Sequence, residues 1–363
     1  MGEAITSLIE NESSQGKSIL NDLISIPQLE GVVTALNEMH PALYKGLAIS
    51  QENNIVKVQD NLGSRFQQEL NKAYCHPNAC KKEPLYLWVN GFGDRLKQKS
   101  SYFSESPQLG YQNQTGGVML GCDGNFADYF YLGALGAYTR TALDWSNTHS
   151  EGTIQTGYTG LYFSAVGDMF YGNISVIGAW SQYEGRRNIN FSGVDVTATN
   201  THGGSQLLSH IDTGVNLRYK AFTVNLFDSF DYINQTEGSF TEKGAGVYNL
   251  HVKKTNPIML RNQLGLELTR CVCFDSIRWM ISPKISWVRE IRIKGQSYMS
   301  EFEGTGLTFE SKGYFPNRNL ISFGAKATGI TCDDCLDVDL YFNGDFCNDY
   351  SDFNLGAQIS FRF

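Results

Sequence analysis

The chain has 363 residues, among them 37 glycines, 22 phenylalanines, 19 tyrosines and only 8 prolines, a profile of extended β-structure rather than helix. Its formal charge of −8 at pH 7 excludes a nucleic-acid binder, which needs a basic face for the phosphates. No run of about 18 apolar residues occurs, which excludes a spanning helix but not a membrane barrel, whose strands need only ~9–11 residues with every second one facing lipid.

From the N-terminus, "MGEAITSLIENESSQGKS" places acidic residues where a signal peptide has a basic n-region and an apolar core, so no export signal is expected in it. "ILNDLI" and "LEGVVTALNEMH" predict short helices. Ser50 to Tyr74 is polar and free of proline, and predicts one helix with Gly63 as its weak point. A helix polar on all sides requires solvent or a hydrated channel around it.

From Leu85 the period changes to two. Twelve strands are expected, near 85–93, 115–123, 127–140, 151–165, 168–183, 205–219, 221–233, 257–270, 276–293, 318–331, 335–344 and 352–363. The connections alternate long (94–114, 141–150, 184–204, 234–256, 294–317, 345–351) and short (124–126, 166–167, Lys220, 271–275, 332–334). That rhythm is the one of an outer-membrane barrel, with short turns on the periplasmic side and long loops outside. A soluble β-sandwich also alternates, but it has no reason to order its connections this way, and its solvent face would carry more Lys and Glu. The expected fold is therefore all-β: a twelve-stranded transmembrane antiparallel β-barrel with an N-terminal helical linker plugging the lumen. The expected division is 1–84 for the linker and 85–363 for the barrel.

The last stretch, "DFNLGAQISFRF", alternates Phe353, Leu355, Ala357, Ile359, Phe361 and Phe363 with polar residues. In a barrel this strand closes the sheet against the first, with the apolar set toward lipid. The same alternation puts Asp212, Arg218, Arg261, Glu267, Arg278, Lys284, Asp337 and Asp339 toward the lumen. Such charges need water or a polar plug, and Gln51, Glu52, Lys57, Asp60, Arg65 and Gln68 of the predicted helix offer one.

Cys75, Cys80, Cys122, Cys271, Cys273, Cys332 and Cys335 fall at the short-turn end, which suits disulfides within the rim or to neighbouring envelope proteins, while Cys347 lies apart. Cys332 and Cys335 lack a second ligand pair at zinc spacing, so no metal is expected. The scattered histidines form no ligand set, and only His210 is expected to face the lumen. No nucleophile–base arrangement or phosphate-cradling loop stands out; neither an enzyme nor a cofactor is expected.

"LYLWVNGFGDRL" followed by "GYQNQTGGVMLGCDGN" resembles the opening of an autotransporter β-domain, through Trp88, Gly116, Gly117, Gly121 and Asp123. The segment "MHPALYKGLAISQENNIVKVQDNLGSRF" resembles the linker helix of that family, and Phe353, Leu355, Ile359, Phe361 and Phe363 resemble its C-terminal assembly signal. The many Tyr, Phe and Cys residues are similar to the polymorphic outer-membrane proteins of chlamydia-like bacteria. The resemblance implies a type V secretion translocator in the bacterial outer membrane that exports and displays an N-terminal passenger. Its implied partners are outer-membrane lipid, the barrel-assembly machinery and the passenger segment. Asn53 and Asn54 resemble the pair at which some members cleave themselves by asparagine cyclisation. The alternative is a surface adhesin or porin-like protein without a secreted passenger.

Overall fold

The computed structural model describes residues 13–75, 85–103, 106–127, 129–146, 148–167, 169–191, 193–220, 222–274, 277–295, 297–306, 308–311, 317–331 and 336–362. Three helices come first: α1 (Ser14–Ile24), α2 (Leu29–Met39) and α3 (Ala42–Cys75). The strands are β1 (Leu85–Gln98), β2 (Ser101–Phe103), β3 (Ser106–Gln108), β4 (Tyr111–Ala127), β5 (Phe130–Trp145), β6 (Glu151–Val166), β7 (Phe170–Phe191), β8 (Val194–Tyr219), β9 (Phe222–Glu237), β10 (Phe240–Thr241), β11 (Leu250–Val252), β12 (Ile258–Phe274), β13 (Ile277–Lys294), β14 (Tyr298–Phe302), β15 (Thr308–Ser311), β16 (Arg318–Thr331), β17 (Leu336–Cys347) and β18 (Tyr350–Arg362).

Twelve of these close into an antiparallel barrel, in the order β1, β18, β17, β16, β13, β12, β9, β8, β7, β6, β5, β4 and back to β1. Closure follows from the last strand: β18 pairs with β17 on one side and with β1 on the other, from Tyr86 opposite Arg362 to Gln98 opposite Tyr350. No edge is left with unpaired backbone groups facing lipid. Phe353, Leu355, Ile359 and Phe361 point outward and are exposed, whereas Asn354, Gln358 and Ser360 are buried on the inner face. Phe363 lies outside the described residues.

Three expected loops carry ordered sheet instead. Residues 184–204 extend β7 and β8 into a hairpin that continues the barrel register, from Glu184 opposite Thr201 to Phe191 opposite Val194. Its inward positions carry Ile189, Phe191 and Ala198, and burying these against the N-terminal helices favours strand over loop. Segments 234–256 and 294–317 supply β10, β11, β14 and β15, a separate four-stranded sheet at the same end. With α1 and α2 this sheet shares one apolar core, in which Ile19, Leu23, Met39 and Leu43 meet Tyr248, Leu250, Tyr298 and Phe302. The long-connection end is thus capped. In that cap, burial drives His40 down to about 3, aided by the positive charge of Lys45, so the ring is neutral beside Ser311.

Glycine and aromatic content have a common use inside the wall. A Cβ at Gly121 would sit 2.3 Å from the ring of Trp88, and one at Gly117 equally close to the ring of Phe92. Each ring lies flat over the neighbouring strand at a position that only glycine leaves free. Trp88 is held there by its Nε1–H, which donates to Tyr162 Oη at 2.9 Å. Gly121→Ala is accordingly expected to destabilise the barrel by about 1–3 kcal/mol through overpacking, read as a lower midpoint for loss of the compact band on unheated gels. An unchanged midpoint would show that the ring moves aside freely.

Candidate functional site

The helix α3 runs the full depth of the lumen. Its 34 residues make a rod of about 51 Å at 1.5 Å per residue. The early turns lie in the cap, where Tyr44 donates to Glu242 and Tyr298 donates to the Tyr44 carbonyl. The late turns reach the short-turn end, where Gln68 Oε1 accepts from Gln358 at 3.2 Å and from Ser360 at 3.4 Å.

The helix is not polar on all sides, contrary to the sequence expectation. Ile55, Val58, Leu62 and Phe66 recur at spacings of three and four and form a stripe. The stripe is hard to see in sequence because charged and amide residues occupy every other face. It packs on Trp88, Phe92, Met119, Leu135, Tyr158, Tyr162 and Ile177 of the inner wall. Gly63 does not interrupt the helix. It borders a cavity of about 110 Å³ on the other flank, lined also by Asp60, Gln67, His210, Lys284 and Asn343.

The remaining faces are locked by charge. Lys57 Nζ lies 2.7 Å from Asp352 and 3.3 Å from Asp345. Arg261 lies 3.4 Å from Asp231, 3.6 Å from Asp60 and 4.0 Å from Asp345. His210 joins Asp231 at 2.6 Å and Asp212 at 3.1 Å. One chain of alternating charge therefore crosses from β8 through β9 and β12 to the helix and on to β17 and β18. Higher up, Arg292 pairs with Glu52. Gln51 Nε2 donates to Gln206 at 2.9 Å, and Ser175 donates to Gln59 at 2.6 Å. Pairs of this kind contribute little net stability against their desolvation, but they specify one rotation and one depth for the helix.

Near the bottom, Arg65 grips Asp123 with two hydrogen bonds, Nε to Oδ2 at 3.0 Å and Nη2 to Oδ1 at 2.7 Å. Tyr162 Oη also donates to Asp123, at 2.8 Å, and itself accepts from Trp88. The ring of Tyr86 lies 4.6 Å below the Arg65 guanidinium. Trp88, Gly121 and Asp123 thus belong to a single arrangement that ties the helix to β1, β4 and β6.

Among the other residues singled out in sequence, Glu267, Asp337 and Asp339 are buried on the inner face; Asp339 accepts from Thr328 and Gln358 and lies 3.8 Å from Lys326. Lys284 and Arg278 are half-buried, and Arg218 is exposed near the short-turn end. Arg292, Asp345 and Asp352 did not stand out, because they lie in the last turns of strands whose ends the alternation leaves undefined. Asp231 sits at an inward register position and was legible, but nothing in sequence pairs it with His210. His202 is a correction: it too faces inward, buried between Asn200 and Glu237, on the part of β8 expected to be loop.

Asn54 Nδ2 donates to Thr141 and Gln51, and its Oδ1 accepts from Thr115. Asn53 Nδ2 is buried and makes no hydrogen bond. Among the described residues, no carboxylate accepts a hydrogen bond from it. Cys271 is disulfide-bonded. Cys122 makes no disulfide within the chain: the alternation turns it to the outer wall, opposite Leu87 and Ala134. Cys347 is also free. The side chains of Cys75, Cys80, Cys273, Cys332 and Cys335 lie outside the described residues.

The autotransporter beta-domain family profile matches residues 87–333. The chain is 22% identical over 261 residues to an extracellular serine protease of Serratia marcescens, a match that covers 70% of this chain and 24% of that protein. The chain thus spans about a quarter of the length of the curated relatives it matches. Among solved structures, the translocator domain of the autotransporter NalP from Neisseria meningitidis superposes with a TM-score of 0.59 at 13% identity, over 86% of this chain and 98% of that one. The β domain of the Bordetella autotransporter BrkA gives 0.58 at 15% identity, over 77% and 100%. A twelve-stranded closed wall, a linker helix along its axis and a family match across most of the strands lead to one assignment: the chain belongs to the autotransporter β-domain family, the outer-membrane translocator barrels of type V secretion.

Proposed function

We propose that this barrel supports export and surface display of polypeptide placed ahead of α3, which remains in the lumen as the linker. Chain polarity carries the reading: α3 starts at the capped, long-connection end and finishes at the short-turn end, where β1 begins. Whatever precedes Ala42 is thereby delivered to the far side of the wall from the strand termini. On this reading residues 1–84 are the linker and passenger remnant, and 85–363 are the translocator. Phe353, Leu355, Ile359, Phe361 and Phe363 serve as the signal for the barrel-assembly machinery. The cysteines at the short-turn end, Cys122 excepted, serve the rim or disulfide-linked envelope partners, and with the Tyr and Phe content they support the chlamydial polymorphic type. The linker stays uncleaved, because among the described residues no base accepts a hydrogen bond from the Asn53 amide.

One experiment tests display and cleavage together. With a signal peptide and an epitope placed ahead of Ser14, intact cells of a Gram-negative host are expected to bind antibody, and the heated gel to carry the epitope on the full-length band. If the epitope becomes accessible only after the outer membrane is permeabilised, while the barrel still shows heat-modifiable mobility, the export reading fails. An epitope separated from a barrel fragment that starts at Asn54 would instead establish self-cleavage.

A further inference from the structure

Gly116 differs from Gly117 and Gly121. Its Cβ position points outward, and nothing lies within 4 Å of it. Around it the outer wall is positively charged. Burial alternates without a break along β1, so Arg95 and Lys97 project outward, while Arg140 does so from β5 between the inward Thr139 and Thr141. Gly116 is opposite Gly93 on β1 and Arg140 on β5, and Arg95 is opposite Gln114 on β4 and Phe353 on β18. Arg95 and Arg140 therefore flank β4 at about 10 Å, two strand spacings, across Gly116 and the outward Gln114.

These cations have little to neutralise them. Arg95 Nη2 lies 3.5 Å from Gln112 Oε1, and no carboxylate pairs with Arg95, Lys97 or Arg140 among the described residues. Asp144 is the outward carboxylate of this stretch, across Gln112 from Lys97. Lys99, one step beyond, is turned to the Asn348 carbonyl at 3.3 Å. At the same height the wall of β6 and β7 is mixed, with Glu151, Glu184 and Arg186, so the excess of positive charge on β1 and β5 does not continue onto those strands.

The height matters as much as the charge. Below the cations the wall is apolar and exposed, with Val89, Val118, Leu120, Leu132 and Leu355. Tyr138 and Trp180 mark the upper limit of that band. Beside Arg95, Phe353 packs against Phe346 and Phe342, with centroids 5.1 and 6.2 Å apart. Cations sit where headgroups begin, and aromatic rings where acyl chains begin.

We propose that this patch is a seat for a phosphate-bearing lipid of the outer leaflet, its phosphates on Arg95, Lys97 and Arg140 and its acyl chains against Phe353, Leu355 and Val118. Guanidinium forks match phosphate oxygens, and a headgroup with two phosphates spans the gap between the two arginines. A lipid held there bridges β18 to β5 across the closing seam. The inference rests on the barrel standing in the outer membrane with its long connections outward, which heat-modifiable mobility and surface labelling of the loops report separately.

The test uses the full chain in neutral detergent with three probes: diphosphorylated lipid A, its phosphate-free counterpart, and inorganic phosphate. Native mass spectrometry is expected to retain one lipid A on the wild type, and the midpoint for loss of the compact band to rise with it. The variant R95Q/K97Q/R140Q is expected to bind about a hundredfold more weakly, because each substitution takes one cation away from the phosphates. Should that variant fail to fold, the wild type decides: 1 M NaCl must abolish the shift. Equal retention of the phosphate-free lipid, or a shift that persists in salt or in the variant, overturns the proposal. A full effect from inorganic phosphate alone overturns it as well, because the seat would then recognise a free anion.

Discussion

Asp123→Ala is expected to loosen the helix from the barrel by about 3–5 kcal/mol, because it strands a buried guanidinium without its carboxylate. Arg65 is 1% exposed and Asp123 3% exposed, so no water stands in for the missing partner. Gln68 and the ring of Tyr86 stay against the guanidinium, and both are uncharged. The loss should appear as a lower midpoint for the compact band and as frequent openings in planar-bilayer recordings, where the wild type stays quiet. A double variant that replaces both charges, R65M/D123L, should recover much of the midpoint, since an apolar pair of similar volume avoids the desolvation cost. A single variant as quiet and as stable as the wild type would show that the lock is ornamental and that the apolar stripe alone holds α3.

Removal of everything before Leu85 is expected to leave a closed barrel with an open lumen. Each barrel strand takes its backbone hydrogen bonds from its two neighbours, and none of the pairings involves α3. Heat-modifiable mobility should therefore survive. Conductance should rise by about an order of magnitude, since a rod of ~10–12 Å diameter no longer fills the pore. The midpoint should also fall, because Asp352 and Asp123 lose the cations that face them, Asp345 loses Lys57 and keeps Arg261, and the cap loses α1 and α2. Aggregation without any compact band would mean that the helix is needed to build the wall rather than only to fill it.

The strands were legible because a barrel wall repeats one simple rule. Along β18, exposed Phe353, Leu355, Ile359 and Phe361 alternate with buried Asp352, Asn354, Gln358 and Ser360, and the sequence alternates with the burial. Where the outward side of a strand is solvated above the membrane the rule weakens, since polar residues then occupy both faces. For that reason 184–204 read as a loop although Glu184 to Phe191 continues β7. The apolar stripe on α3 was obscured differently: four residues at helical spacing are diluted by the amides and charges that meet the rest of the lumen.

The sequence by itself determined the class of the protein. Period-two alternation, alternating connection lengths and a final strand with one apolar face suffice for a closed barrel, because lipid tolerates no unpaired edge. Parity also put Arg261, Glu267, Asp337 and Asp339 on the inner face, while Arg292, Asp345 and Asp352, at strand ends the alternation leaves undefined, were not picked out. Only the tertiary structure decided which charge meets which. Asp123 finds Arg65 at a separation of 58 residues, and Lys57 finds Asp352 at a separation set by the whole circuit of the wall. Such pairings depend on barrel register, on the depth of the helix and on its rotation, and these are properties of the closed object rather than of any local segment. The cap follows the same logic: two loops and two helices, each too short to bury its own apolar face, acquired a core only when the barrel mouth brought them together.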